Sequence, residues 1–147
     1  MGSVLVIGGG AAGLAAAIAA AECGDTVTVA EKMDRVGKKI LATGNGRCNL
    51  MNTGAPRYPG NAAFAADVLS CCGAEAQKAF WEHLGLRLRQ EEAGRVYPVS
   101  SQASSVLDAL RLQLTALHVR VVAGVSITAL HRENDGWTAL SADGQQF

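Results

Sequence analysis

Four apolar residues, Val4-Leu5-Val6-Ile7, run straight into Gly8-Gly9-Gly10-Ala11-Ala12-Gly13, and an alanine-rich stretch to Ala21 follows. A second apolar run, Thr26-Val27-Thr28-Val29-Ala30, ends at Glu31. Strand, glycine-rich turn, helix, strand and acid in that order describe a βαβ unit built to bring backbone N–H groups against an anion. Gly8 permits the sharp turn out of the strand, Gly10 leaves room for a phosphate to approach, and Gly13 lets the helix pack closely on the sheet. Ala11 and Ala12 supply amides at the helix start without side chains in the way. Glu31 stands where a carboxylate accepts hydrogen bonds from a ribose 2′-OH, and it disfavours a 2′-phosphate there, so NADP is not the expected ligand of this pocket.

Composition narrows the class. At 147 residues, with 49% apolar and 18% charged side chains, the chain reads as soluble and globular. Thirteen basic and thirteen acidic residues balance, so no overall excess points to nucleic acid or to an anionic membrane surface. The balance is uneven, however: Lys32, Arg35, Lys38, Lys39, Arg47 and Arg57 stand against Asp34 alone, directly after the phosphate turn. Residues 1–21 carry no charged side chain, yet a secretory signal needs a basic start, and glycines do not crowd the first turns of a spanning helix. A cytoplasmic protein is expected. Cys23, Cys48, Cys71 and Cys72 show no CxxC spacing, and His83, His118 and His131 are scattered, so no metal site is expected. His83 reads as a surface group.

Further along, residues 36–42 read as a short helix and residues 43–52 as a polar, glycine-rich loop of the kind that serves a site. Asn61 is placed to cap a helix with Phe64, Ala65, Val68, Leu69 and Cys72 on its apolar face. A second helix from Ala74 turns Ala76, Ala79, Phe80 and Leu84 inward. Residues 86–90 alternate as a strand, and residues 91–98 turn back with Gly94 at the bend. The clearest helical stripe is Ala103, Val106, Leu107, Leu110, Leu114 and Leu117. Residues 118–123 form the natural third parallel strand, and the two runs flanking Asn134-Asp135-Gly136 form an antiparallel hairpin. The fold expected is therefore α/β: a Rossmann-like nucleotide-binding parallel sheet with a mostly helical insertion between its second and third strands. Its parts are a first βαβ unit (1–36), the mostly helical insertion (37–117), and a third parallel strand with the hairpin (118–147).

The string Gly37-Lys38-Lys39-Ile40-Leu41-Ala42-Thr43-Gly44-Asn45-Gly46-Arg47-Cys48-Asn49-Leu50, following the glycine turn and Glu31-Lys32, closely resembles the BaiN-type bacterial flavoproteins. These are NAD(P)/FAD-dependent oxidoreductases, also described as aminoacetone-oxidase-family FAD-binding enzymes. Gly94-Arg95-Val96-Tyr97-Pro98-Val99-Ser100 is similar to the family's second signature. The resemblance makes the expected fold a Rossmann-like FAD-binding domain, truncated, with the hairpin as a partial β-meander. It implies extended FAD, with its adenosine at Glu31 and its pyrophosphate at Gly10 to Gly13. It sets Thr43, Gly44, Asn45, Gly46, Arg47, Cys48 and Asn49 along the pyrophosphate, ribityl chain or flavin ring, and the backbone of Ile127 against the adenine. Met51 stands where family members commonly have Thr. The family is also longer, so the resemblance implies a last meander strand, another parallel strand and a substrate domain beyond Phe147, and a 147-residue chain inactive by itself.

In such an enzyme the flavin performs the redox chemistry, and the protein supplies binding, orientation and electrostatics. Arg47 and the loop amides are candidate donors to the flavin N1 and C2 carbonyl. Cys48 beside Arg47 is a candidate reactive thiol, although the missing CxxC partner favours a positional role. NAD(P)H stands as a candidate electron donor, and the substrate is a small molecule that the sequence does not identify. Two alternatives stay open: an NAD-dependent dehydrogenase, which the glycine turn and Glu31 equally allow, and a non-catalytic truncated nucleotide-binding module.

Overall fold

The computed structural model describes residues 1–55 and 57–147. In chain order the elements are β1 (Ser3–Ile7), α1 (Ala11–Glu22), β2 (Thr26–Glu31), a 3-10 segment (Ile40–Gly46), β3 (Met51–Asn52), α2 (Ala62–Cys71) and α3 (Ala74–His83). Then follow β4 (Leu88–Gln90), a 3-10 turn (Glu92–Gly94), β5 (Arg95–Pro98), α4 (Ala103–Ala116), β6 (Arg120–Ala123), β7 (Ile127–Glu133) and β8 (Gly136–Ser141). The chain divides into two compact units, Met1–Lys39 with Leu110–Phe147, and Ile40–Ala109.

The first unit is the Rossmann part. β1 and β2 pair in parallel from Ser3 opposite Thr26 to Ile7 opposite Ala30, and β2 pairs in parallel with β6 from Thr28 opposite Arg120 to Glu31 opposite Ala123. The sheet order β1-β2-β6 puts β2 in the middle. This explains its nearly continuous burial: a central parallel strand faces no water on either side. α1 is an alanine-rich helix that packs on β1 and β2 through Leu14, Ala17 and Ile18, all fully buried. Burying Leu14 and Ile18 contributes roughly 1.5–3 kcal/mol each. Leu110 and Leu114 of α4 are buried in the same unit, and the expected stripe of that helix is found, with Leu117 half-buried at its end. β7 and β8 form the expected hairpin around Asn134 and Asp135, with a bulge between Ile127 and Ala129. Phe147 exchanges two backbone hydrogen bonds with Ala139, beside an isolated antiparallel bridge between Leu140 and Gln146.

The second unit departs further from the sequence reading. Residues 36–42 are helical only from Ile40 onward, and as 3-10 rather than α-helix. Turns over residues 36–39 lead into the 3-10 segment, which breaks at Thr43, Gly44 and Asn45. Gly44 explains the break: its φ is +54°, and an added Cβ would lie 2.6 Å from the Asn49 nitrogen, so the chain reverses where only glycine fits. Met51 and Asn52, read as loop, pair with Val96 and Arg95, and β3, β5 and β4 form a small antiparallel sheet in that order.

α2 starts where expected, with the Asn61 side chain accepting the Phe64 N–H at 3.0 Å. Its apolar face, however, is open: no residue of the helix is buried, and Phe64 is 65% exposed. In α3, Phe80 and Trp81 are half-buried and meet edge to face at 5.0 Å, while Ala76 and Ala79 are exposed. His83 is exposed. Among the described residues no helix is long and apolar enough to cross a membrane.

Candidate nucleotide-binding site

The glycine turn assigns each of its glycines a different physical task. Gly8 has φ +103°, and its N–H continues the strand ladder to the Ala30 carbonyl at 2.8 Å. A Cβ on Gly13 would lie 1.9 Å from the Gly8 oxygen, so helix and turn touch through backbone alone. A Cβ on Gly10 would meet nothing within 4 Å. That open space lies at the start of α1, where Gly10 holds the N-cap position without a side-chain cap and no acid occupies the first turn. The first helical hydrogen bond runs from Leu14 N–H to the Gly10 carbonyl at 2.9 Å. The amides before Leu14, including those of Ala11, Ala12 and Gly13, therefore have no helix carbonyl to bond, and the positive end of the helix dipole is uncompensated by the chain.

A cavity of about 450 Å³ lies against this turn. Gly8, Gly9 and Gly10 line one side; Glu31, Lys32, Met33, Arg35, Gly37, Lys38 and Lys39 line the other. Of the residues read as cofactor contacts, Gly8, Gly10, Glu31, Lys32, Gly37, Lys38 and Lys39 are thus brought together. Gly9, Met33 and Arg35 also line the cavity, although the sequence does not single them out as cofactor contacts. Arg35 was legible as part of the basic run, whereas Met33 carries no sequence signal. Ile127, at the start of β7, is half-buried and is not among the lining residues.

The electrostatics of the cavity are set by one buried acid and several cations. Glu31 is buried, and both of its oxygens are engaged: Gly9 N–H donates to Oε2 at 2.6 Å and Met33 N–H to Oε1 at 2.8 Å. Lys38 pairs with Asp34 at 2.6 Å, and this hydrogen bond holds the Asp34 carboxyl below the usual carboxylate range. No ion pair involves Lys32, Arg35 or Lys39 among the described residues. Backbone bonds fix the rim, from Gly37 N–H to the Gly9 carbonyl at 2.7 Å, and from Gly124 and Val125 N–H to the Met33 and Glu31 carbonyls.

The residues from Thr43 to Asn49 belong to the second unit and have their own construction. The Arg47 guanidinium lies over the Tyr97 ring, 4.1 Å from its centroid, and donates to Glu91 Oε1 at 2.5 Å. Arg89 donates to the same oxygen at 2.7 Å and to the Ser101 hydroxyl at 3.0 Å. The hydrogen bonds from Arg47 and then Arg89 pull the Glu91 carboxyl below its ordinary value, and Glu91 raises Arg47 in turn. Leu50 N–H bonds the Val96 carbonyl at 2.9 Å, and Gly44 sits under Tyr97. The two signature strings, far apart in sequence, therefore form one structure. Cys48 is buried with φ +56°, a backbone state few non-glycine residues adopt, and its N–H bonds the Thr43 carbonyl at 3.0 Å. Burial limits the reactivity of a thiol. Among the described residues no cluster of three or more His, Cys, Asp or Glu side chains gathers as a metal site would require.

Comparison with known proteins is consistent with this construction. The chain is 43% identical over its whole length to the 3-dehydro-bile acid delta(4,6)-reductase of Clostridium scindens, of which it covers 37%. It is 26% identical to the ribosomal RNA dihydrouridine synthase of Haemophilus influenzae, over 89% of the chain and 33% of that protein. The chain thus spans about a third of the length of these relatives. Among solved structures, an open-conformation flavocytochrome c3 fumarate reductase shares the fold, with a TM-score of 0.64 and 20% identity over 95% of the chain and 30% of that structure. The family described as HI0933-like protein Rossmann domain matches residues 2–147. The chain belongs to this HI0933-like family, the BaiN-type flavoproteins that its residues 37–50 resemble.

Proposed function

We propose that the first unit binds the ADP half of FAD, within a flavoprotein oxidoreductase of the HI0933-like family. One observation carries the reading: the cavity opens at an uncapped helix start, beside a glycine with empty space over it, and is bounded by an acid at the end of β2. The residues present fit the group. The amides of Ala11, Ala12 and Gly13 and the α1 dipole hold the pyrophosphate. Glu31 keeps unshared lone pairs on both oxygens after its two backbone bonds and accepts from the ribose. Lys32, Arg35 and Lys39 add positive charge where the diphosphate enters. Bound FAD supplies the electron-pair or hydride chemistry. Along residues 43–49, the contact with the flavin end rests on the family resemblance. The reductase named for the Clostridium scindens relative supports a redox reaction, and the balanced charge favours a small-molecule substrate over nucleic acid.

Titration calorimetry of the purified chain with FAD, ADP, NAD⁺ and 2′-phospho-ADP tests the reading. FAD and ADP are expected to bind, with the 2′-phosphate weakening the interaction. Preference for NAD⁺ over FAD would transfer the site to a dehydrogenase, and no binding of any of the four would leave a nucleotide-free module.

A further inference from the structure

The carboxylate of Glu31 does more in this structure than wait at the end of β2. Gly9 is fastened at both ends of its residue: its N–H donates to Glu31 Oε2 at 2.6 Å, and its carbonyl accepts the Gly37 N–H at 2.7 Å. Its α-carbon is pressed against Val36, whose Cγ1 would lie 2.4 Å from an added Cβ. The second Glu31 oxygen takes the Met33 N–H at 2.8 Å, and the Glu31 backbone carbonyl takes the Val125 N–H at 2.9 Å. One buried side chain therefore joins the middle of the glycine turn to the segment after β2, which are the two sides of the cavity. Hydrogen bonds from backbone N–H groups to an ionised, buried carboxylate are of the stronger kind.

The consequence concerns the amides that are left. Gly8 is committed to the strand ladder and Gly9 to Glu31, so the turn reaches Gly10 in a fixed direction. The head of α1 follows at once, beside the open space that an added Gly10 Cβ would enter. Without the Glu31 bond, the Gly9 N–H would lose its acceptor in a buried place and the Gly8-Gly9-Gly10 segment, with glycine's wide conformational range, would sample other directions.

We propose that Glu31 is a positioning residue for the phosphate subsite: through Gly9 and Met33 it holds the glycine turn in the anion-binding shape, separately from any contact with a ribose. This rests on the nucleotide reading above for its consequence, though not for the clamp itself. Glu31→Gln keeps the shape of the side chain but replaces one acceptor oxygen by a donor, and Glu31→Asp keeps the charge but is too short to span both amides.

Two measurements test the proposal. In the ligand-free chain, amide hydrogen exchange is expected to accelerate at least about tenfold at one of Gly9 and Met33 in Glu31→Gln, which keeps a single acceptor oxygen, and at one or both in Glu31→Asp, the loss of a charge-assisted bond; unchanged exchange at both amides in both variants would remove the clamp. In titrations, ADP and 2′-deoxy-ADP are each expected to lose affinity by a similar factor, on the order of tenfold, because the loss falls on the phosphates. A loss confined to ADP, with 2′-deoxy-ADP unaffected, would reduce Glu31 to a ribose ligand and overturn the proposal. If the unmodified chain binds neither nucleotide, the reading of the site fails while the exchange measurement still decides the clamp.

Discussion

An added methyl group would meet the Gly8 carbonyl oxygen at 1.9 Å on Gly13 and open space on Gly10, so two similar substitutions should have opposite signatures. Gly13→Ala forces backbone against backbone, and a loss of about 1–3 kcal/mol is expected in the urea midpoint, with the slope unchanged. Gly10→Ala should leave stability within about 1 kcal/mol of the parent and reduce ADP affinity, read by calorimetry. Glu91 offers a test of sign. Its folded pKa is depressed by Arg47 and Arg89, so its contribution to stability is present above the unfolded pKa and disappears as the pH falls through the folded one. Glu91→Gln should therefore melt below the parent at neutral pH, and the two melting curves should converge in acid. A gap that stays constant across that range would show that the ion pairs with Arg47 and Arg89 contribute nothing.

At the scale of elements, α2 stands out because its start is well made and its face is bare. The Asn61 cap is its clearest local support, since no α2 residue is buried. Asn61→Ala should cost about 1 kcal/mol, and the loss should appear as faster amide exchange at the start of α2 while the exchange of β2 stays unchanged. The same helix shows where sequence reading stops. Its cap and period were legible because both are local, whereas burial of Phe64 and Val68 depends on what lies opposite, which periodicity does not encode. α4 and β6 were legible for the complementary reason: their apolar patterns are long or continuous, and each is met by a partner. Within residues 36–42 only Ile40, Leu41 and Ala42, which favour a helix, lie in a helical segment, and it is cut short at the Gly44 reversal, where Asn49 and Tyr97 leave no room for a side chain. β3 is two residues long and exists only through its pairing with β5.

For the whole molecule, the charge balance and the exposed apolar side chains act together. Phe64, Leu112, Leu130 and Trp137 are each more than half exposed, and the formal net charge is zero. Little electrostatic repulsion then opposes association near the pI of about 6.8. Light scattering should be highest near that pH, decline on either side, and fall throughout in Phe64→Ser; a flat profile would mean that these side chains do not drive association. The candidate cavity was legible where its lining is written in nearby residues, as in the glycine turn, Glu31 and the basic run. Its interior bonds were not, because Gly9 with Glu31 and Arg47 with Glu91 join residues that only the folded chain brings together. The uncapped start of α1 carries one more consequence. A helix that lacks its own cap takes its missing partner by mass action, so the folding equilibrium becomes a meter of anion occupancy. At a hundred times its dissociation constant, a ligand there adds about 2.7 kcal/mol to the stability of the fold, and the melting temperature would climb with the logarithm of nucleotide concentration.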